Sequence, residues 1–215
     1  MLVLGEGGLD VSSVLCLGAH ADDIEIGCAG LVLALLARRP GIEVDWVVMS
    51  ADGVRADEAR ASAERLLASS ADRRVRVEAF RERYFPYDPT VKEYFDELGR
   101  SMSPDLILCP WRGDAHQDHR TVAELTANTF RDHLVLEYEI PKYDGDLGRP
   151  SVYVRLSKDQ ADAKVAAILE GFPSQSGRDW FSMDTFGALM RLRGIECHSP
   201  SGLAEAFHAR KVVLA

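Results

Sequence analysis

Hydrophobic and polar positions along this chain come in short blocks, and the blocks change period in a regular order. Residues 12–18 (SSVLCLG) are an apolar run closed by a glycine, the mark of a buried strand. Residues 43–50 (EVDWVVMS), 74–80 (RVRVEAF) and 105–109 (DLILC) read as three more strands. Between them, residues 27–38 are rich in Ala and Leu and stop before Pro40, which predicts a buried helix. Residues 55–70 carry Ala and Leu at helical spacing with charges between them, an amphipathic helix. Further helices are expected over 90–102 and 121–132.

Strand and helix thus alternate over about the first 135 residues, an order that favours a parallel sheet covered on both faces. The expectation is an α/β, Rossmann-like fold. The rest of the chain is mixed. Residues 134–138 and 152–156 read as strands, 158–169 and 185–192 as helices, and 208–214 as a last strand or a packed terminus. A length of 215 residues suits a single domain over 1–215, with 1–140 as the core and 141–215 shaping a pocket.

Composition narrows the function. With 47% hydrophobic and 27% charged residues, the chain is an ordinary globular protein. A net charge of −9 repels phosphate backbones and anionic bilayers, so neither nucleic acid nor a membrane surface is an expected partner. The first residues have no basic segment leading into an apolar run, and no stretch is long enough to span a bilayer. A cytoplasmic location without a signal peptide is the expectation. Cys16, Cys28, Cys109 and Cys197 form no C-x-x-C pair and read as reduced, partly buried thiols. Gly5-Glu6-Gly7-Gly8 hints at a dinucleotide loop, but it precedes the first strand instead of following it, so that logic fails.

The chemistry gathers after two strands. Gly18-Ala19-His20-Ala21-Asp22-Asp23 follows the first, and Asp114-Ala115-His116-Gln117-Asp118-His119 follows the fourth. Ligands of open α/β sheets bind at such strand ends. His20, Asp23 and His119 offer two imidazoles and a carboxylate, the ligand types of a hydrolytic zinc site with one open position. Adjacent Asp22 would then face the water as general base. Each piece also has a plain alternative, since Asp-Asp in a loop serves as a turn or helix cap and H-x-x-H arises by chance. The residues alone leave both readings open.

The run from Ala19 to Gly30 resembles the first signature of the PIG-L/LmbE-like N-deacetylases, A-H-P-D-D-x-x-x-G-C-G-G, and His116-Gln117-Asp118-His119 resembles their second, H-x-D-H. The resemblance covers about the first 140 residues. It implies one zinc ion per chain, held by His20, Asp23 and His119, with Asp22 as base. It implies that His116 stabilises the oxyanion or protonates the leaving group, and that Asp118 orients a histidine. Arg55 resembles a position that holds substrate hydroxyls. The implied activity is removal of an N-acetyl group from an amino-sugar-type small molecule. An esterase, a thioesterase or a deacetylase of a non-sugar amide on the same scaffold, or a non-catalytic binding module, remains as an alternative. Ala21 and Ala29 depart from the family's Pro and Gly, and Ile24 from a frequent Glu that Glu25 follows. Neither ligand nor base is lost. Trp111, Tyr138, Tyr143, Trp180 and Phe181 are aromatic candidates for a sugar face, with Tyr143 assigned to substrate binding. The turn-rich segment 143–150 is a candidate mobile lid.

Overall fold

A computed structural model describes residues 11–213. The Gly5–Gly8 segment and the end of the expected 208–214 element lie outside them. The elements run β1 (Ser13–His20), α1 (Asp23–Arg38), β2 (Glu43–Ser50), α2 (Gly53–Leu66), β3 (Asp72–Val77), α3 (Pro89–Ser101), β4 (Leu106–Pro110) and α4 (Gln117–Thr129). They continue through β5 (Leu134–Tyr138), β6 (Val152–Arg155), α5 (Lys158–Gly171), α6 (Met183–Glu196) and β7 (Ala204–Ala209). The seven strands form one sheet of order β3-β2-β1-β4-β5-β7-β6. The first five strands in that order are parallel, and β7 runs antiparallel to both β5 and β6. The expected α/β class and mostly parallel sheet are what the chain forms.

Burial explains which runs became strands. β1, β2 and β4 are apolar on both faces because helices cover both sides. One core lies under α1, α2 and α5, around Trp46, Tyr138 and Phe172. The other lies under α3 and α4, around Leu15, Phe95 and Val122. β3 is the exposed edge, and its arginines Arg74 and Arg76 both pair with Asp45 of β2 at 2.7 Å. All four cysteines are free and buried.

Three boundaries differ from the sequence expectation in ways that matter. α1 begins at Asp23 rather than Gly27, so Asp23 and Glu25 fall in its first turn, where the helix dipole favours acids. α4 begins at Gln117 rather than residue 121, which puts Asp118 and His119 in its first turn. β7 lies at 204–209, earlier than the 208–214 expected. Its sequence AEAFHA has little β-branched character, and it hides a buried carboxylate. Glu205 accepts from the backbone N–H groups of Gly30 and Leu31 and pairs with Lys164 at 2.6 Å. A charge at a buried strand position breaks the apolar pattern that sequence reading depends on.

The order of the sheet fixes where chemistry can occur. Chain progress from β1 goes outward through β2 and β3 on one side, then crosses to β4 and β5 on the other. The crevice at this reversal lies between the carboxyl ends of β1 and β4. His20 is the last residue of β1, and the 111–119 segment follows β4 directly. At Gly27, a β-carbon would fall 2.0 Å from the Tyr138 ring, so glycine is what lets α1 lie this close to β5.

Candidate metal and active site

Three side-chain acceptors meet at that crevice. His20 Nδ1 lies 3.1 Å from His119 Nε2. Asp23 Oδ2 lies 3.5 Å from the first nitrogen and 3.3 Å from the second. Zinc ligands at about 2.0–2.2 Å from the metal stand roughly 3.3–3.6 Å apart in a tetrahedron. The observed triangle therefore has the size of a coordination face. His116 also belongs to this cluster, with ring nitrogens of His20, His116 and His119 within 4.8 Å of one another. His116, however, caps α4, and its Nδ1 accepts from the Asp118 N–H at 3.2 Å. That bond places the ring proton of a neutral His116 on Nε2, making it a donor. Asp23 completes the tighter set.

Each inner imidazole is backed by a carboxylate on its outer nitrogen. His20 Nε2 faces Asp118 Oδ2 at 3.4 Å. His119 Nδ1 lies 2.9 Å from Asp114 Oδ2, at ion-pair distance though off hydrogen-bond alignment. Protons held at these outer positions turn the inner lone pairs toward Asp23, so three acceptors face one point. Such a constellation fits a divalent cation.

The ionisation tendencies agree. Burial disfavours the charged ring of His20, yet Asp23 and Asp118 outweigh it and raise its pKa to about 10. For His119 burial likewise opposes, and Asp23 and Asp114 raise it to about 9. Burial opposes the charge of Asp23, but the two imidazoles hold its pKa well below the carboxylate norm. These shifts measure how strongly the carboxylates attract positive charge. Burial pushes Asp22 up, with Arg55 opposing. His116 is pushed down, first by burial and then by His20 and His119, which favours its neutral form.

Asp22 sits one residue before α1, and its Oδ1 accepts from Arg55 Nη2 at 2.9 Å. Arg55, expected on substrate hydroxyls, is thus engaged with the expected base. Asp118, expected to orient a histidine, touches His20. Its carboxylate also accepts from the backbone N–H groups of Arg83 at 2.5 Å and Phe85 at 3.3 Å.

Sequence reading assigned no role to Asp114 or Lys142. Asp114 Oδ1 accepts from the His116 N–H at 2.7 Å, while Oδ2 serves both His119 and Lys142 Nζ at 2.8 Å. Its place five residues before His119, in the same loop, was the available signal. Lys142 could not be found that way, because only the fold brings the segment after β5 onto this loop. Glu25 forms no hydrogen bond to any of these groups, and burial raises its pKa to about 8.

The aromatic candidates divide. Tyr138 is fully buried and donates its hydroxyl to the Leu17 carbonyl at 2.7 Å, so it is core and not a sugar face. Its position on a central strand, under α1, is the reason. Phe181 is buried in a cluster with Phe186 and Trp180. Trp111 stacks on His208 at 4.4 Å. Tyr143 is exposed, with its ring nearly perpendicular to that of Trp180, centroids 6.5 Å apart. The 143–150 segment is anchored in the middle. Asp146 accepts from the Ala115 N–H and from Lys142, each at 2.6 Å, and Gly148 N–H donates to Glu139. Residues 143–145 stand free of these bonds.

Comparison with known proteins agrees with the fold. A family profile described as PIG-L, GlcNAc-PI de-N-acetylase, matches residues 15–130. N,N'-diacetylchitobiose deacetylase from Pyrococcus horikoshii superposes with a TM-score of 0.72 at 20% identity, covering 93% of this chain and 84% of that one. The deacetylase of the antimicrobial A40926 pseudoaglycone gives 0.67 at 16% identity, over 96% and 100% of the two chains. GalB, the 4-carboxy-2-hydroxymuconate hydratase from Pseudomonas putida, gives 0.73 at 17% identity, over 95% and 98%. A hydratase shares the fold with two deacetylases, so the fold alone does not decide the reaction. Among the described residues no helix is long and apolar enough to cross a membrane.

Proposed function

The chain belongs to the PIG-L family, and on that premise we propose that it is a metal-dependent N-deacetylase of a small amino-sugar-type molecule. The observation that carries this is the convergence of His20 Nδ1, His119 Nε2 and Asp23 Oδ2 beside a separate carboxylate, Asp22. His20, Asp23 and His119 would hold the ion, zinc by the donor types. When bound, the ion supplies Lewis acidity toward water and the acyl oxygen.

The remaining steps fall to the chain's own side chains. Asp22 accepts the proton of the attacking water. Arg55 holds that carboxylate in place, and burial makes it more basic than a free aspartate. His116, neutral with its proton on Nε2, donates to the oxygen that gains charge as the tetrahedral species forms. The amide C–N bond then breaks, and the proton taken by Asp22 passes to the departing amine. Acetate and a free amine are the products. Asp114 and Asp118 orient the two histidines. Residues 141–215 would shape the pocket, with Tyr143 at its mouth against the substrate.

The test is metal content of the purified protein with His119→Ala alongside, followed by turnover of N-acetylated amino sugars and of matched acetate esters. One zinc per chain, absent from the variant, together with amide turnover, is the expected result. Ester turnover without amide turnover would move the assignment to an esterase. A protein that takes up no metal would make it a binding module.

A further inference from the structure

Two residues other than glycine adopt positive φ among the described residues, Arg83 at 69° and His198 at 50°. His198 is accounted for by its place. It follows the end of α6, where a left-handed residue routinely closes a helix; its own N–H donates to the Ile195 carbonyl and that of Ser199 to the Gly194 carbonyl. Arg83 ends no helix. It lies in the loop between β3 and α3, and its backbone is clamped from both sides. Its N–H donates to Asp118 Oδ2, and its carbonyl accepts from the Gln117 side chain. With Tyr84 at φ −119° and ψ 2°, the left-handed residue aims the N–H groups of Arg83 and Phe85 at one carboxylate. This is a backbone nest, and it holds the anion that backs His20.

The nest explains the conformation but not the residue. Glycine or asparagine would adopt it at little cost, whereas a long side chain there is strained by about 1–2 kcal/mol. Strain of this kind is retained where a side chain is used. The other cations around the site are already committed. Arg55 pairs with Asp22, Lys142 with Asp114 and Asp146, and Arg112 with Glu137, while Arg81 covers the Tyr84 ring at 3.6 Å. The Arg83 guanidinium makes no hydrogen bond among the described residues. Its Nε is only loosely paired, 3.7 Å from a carboxylate oxygen of the exposed neighbour Glu82.

We propose that Arg83 is a specificity-determining residue that recognises an anionic group, phosphate or carboxylate, on the substrate. The proposal rests on the deacetylase reading of the same site. Its backbone stands two contacts from the His20 ring, and its arm is long and exposed. It can therefore engage a part of the substrate away from the acetyl group while the acetyl group occupies the site. A charge-assisted bond of this kind changes affinity by about tenfold or more.

Arg83→Gly tests this cleanly, because glycine suits the observed φ and preserves the nest. Turnover of N-acetylglucosamine 1-phosphate is compared with that of neutral N-acetylglucosamine in the wild type, Arg83→Gly and Arg83→Lys. The wild type should prefer the phosphate through KM. Arg83→Gly should raise KM for the phosphate about tenfold, with kcat little changed and the neutral compound unaffected. Arg83→Lys should restore part of the preference. The glycine variant should melt no lower than the wild type, which excludes misfolding as the cause. Equal effects on both compounds, or no preference in the wild type, would overturn the proposal and leave the deacetylase reading intact. If the wild type turns over neither compound, that reading falls. Arg83 is then decided by thermal protection with N-acetylglucosamine 1-phosphate: protection lost in Arg83→Gly supports it, and none in the wild type overturns it.

Discussion

Charge is buried in two regions of this protein, and the two handle it differently. At the C-terminal side of the sheet, Lys164 meets Glu205 at 2.6 Å and Arg193 meets Glu139 at 2.7 Å, all nearly inaccessible. Each anion there has its cation, and backbone N–H groups from Gly30, Leu31 and Gly148 also donate to the two carboxylates. At the crevice between β1 and β4, four aspartates surround three histidines, and the fixed cations Arg55 and Lys142 answer only Asp22 and Asp114. The first region is closed and its role is structural. The second is left acceptor-rich, and the raised proton affinities of His20 and His119 are the mark of that imbalance. A buried site with unmatched negative charge is built to receive something positive.

Substitutions can break this contrast from either side. Asp22→Asn should lower turnover by about 10²–10⁴-fold while leaving metal content unchanged, because it removes the proton acceptor and no metal ligand. Elemental analysis beside kcat decides it, and full activity would remove Asp22 from the base role. In the closed region, Glu205→Gln should cost about 3–5 kcal/mol by stranding the Lys164 ammonium. Denaturant unfolding measures that loss, and metal content should stay at the wild-type level. A variant that unfolds normally but loses metal would show that the two regions are not independent. Asp114→Asn should act on the open region alone, weakening metal affinity about 10–100-fold in chelator competition with little change in unfolding.

The smallest effect joins the two regions at His208. Burial, then the charges of Arg193 and Arg112, lower its pKa to about 4. It faces Glu139 at 4.0 Å and stacks on Trp111. Below the ordinary histidine value near 6.5 the unfolded chain takes up a proton that the folded one refuses. Stability from this group is therefore complete above about pH 6.5 and is lost as pH falls toward 4. Thermal melting of His208→Gln against the wild type should show a shallower decline over that window, and parallel curves would contradict it.

Much of this was legible in the chain because it depends on local pattern. The alternation of apolar strands and amphipathic helices specified an α/β sheet, and four of the five parallel strands lie where their apolar runs end against Gly, Pro or polar residues. His20, Asp22, Asp23, His116, Asp118 and His119 stand together because two short motifs each follow a central strand. β7 was expected too late in the chain because a buried Glu205 interrupts its apolar face, and Tyr138 misled because an aromatic residue reads the same in a core as in a pocket.

By itself, then, the sequence determined the layer architecture and the two loops that carry the chemistry, since both follow from periodicity and residue type. Tertiary structure alone decided which side chains touch. It placed β1 beside β4 so that residues about one hundred positions apart face each other. It brought Lys142 onto Asp114, turned Arg55 toward Asp22 and bent Arg83 around Asp118. Those pairings depend on strand order and loop closure in space, and no spacing along the chain encodes them.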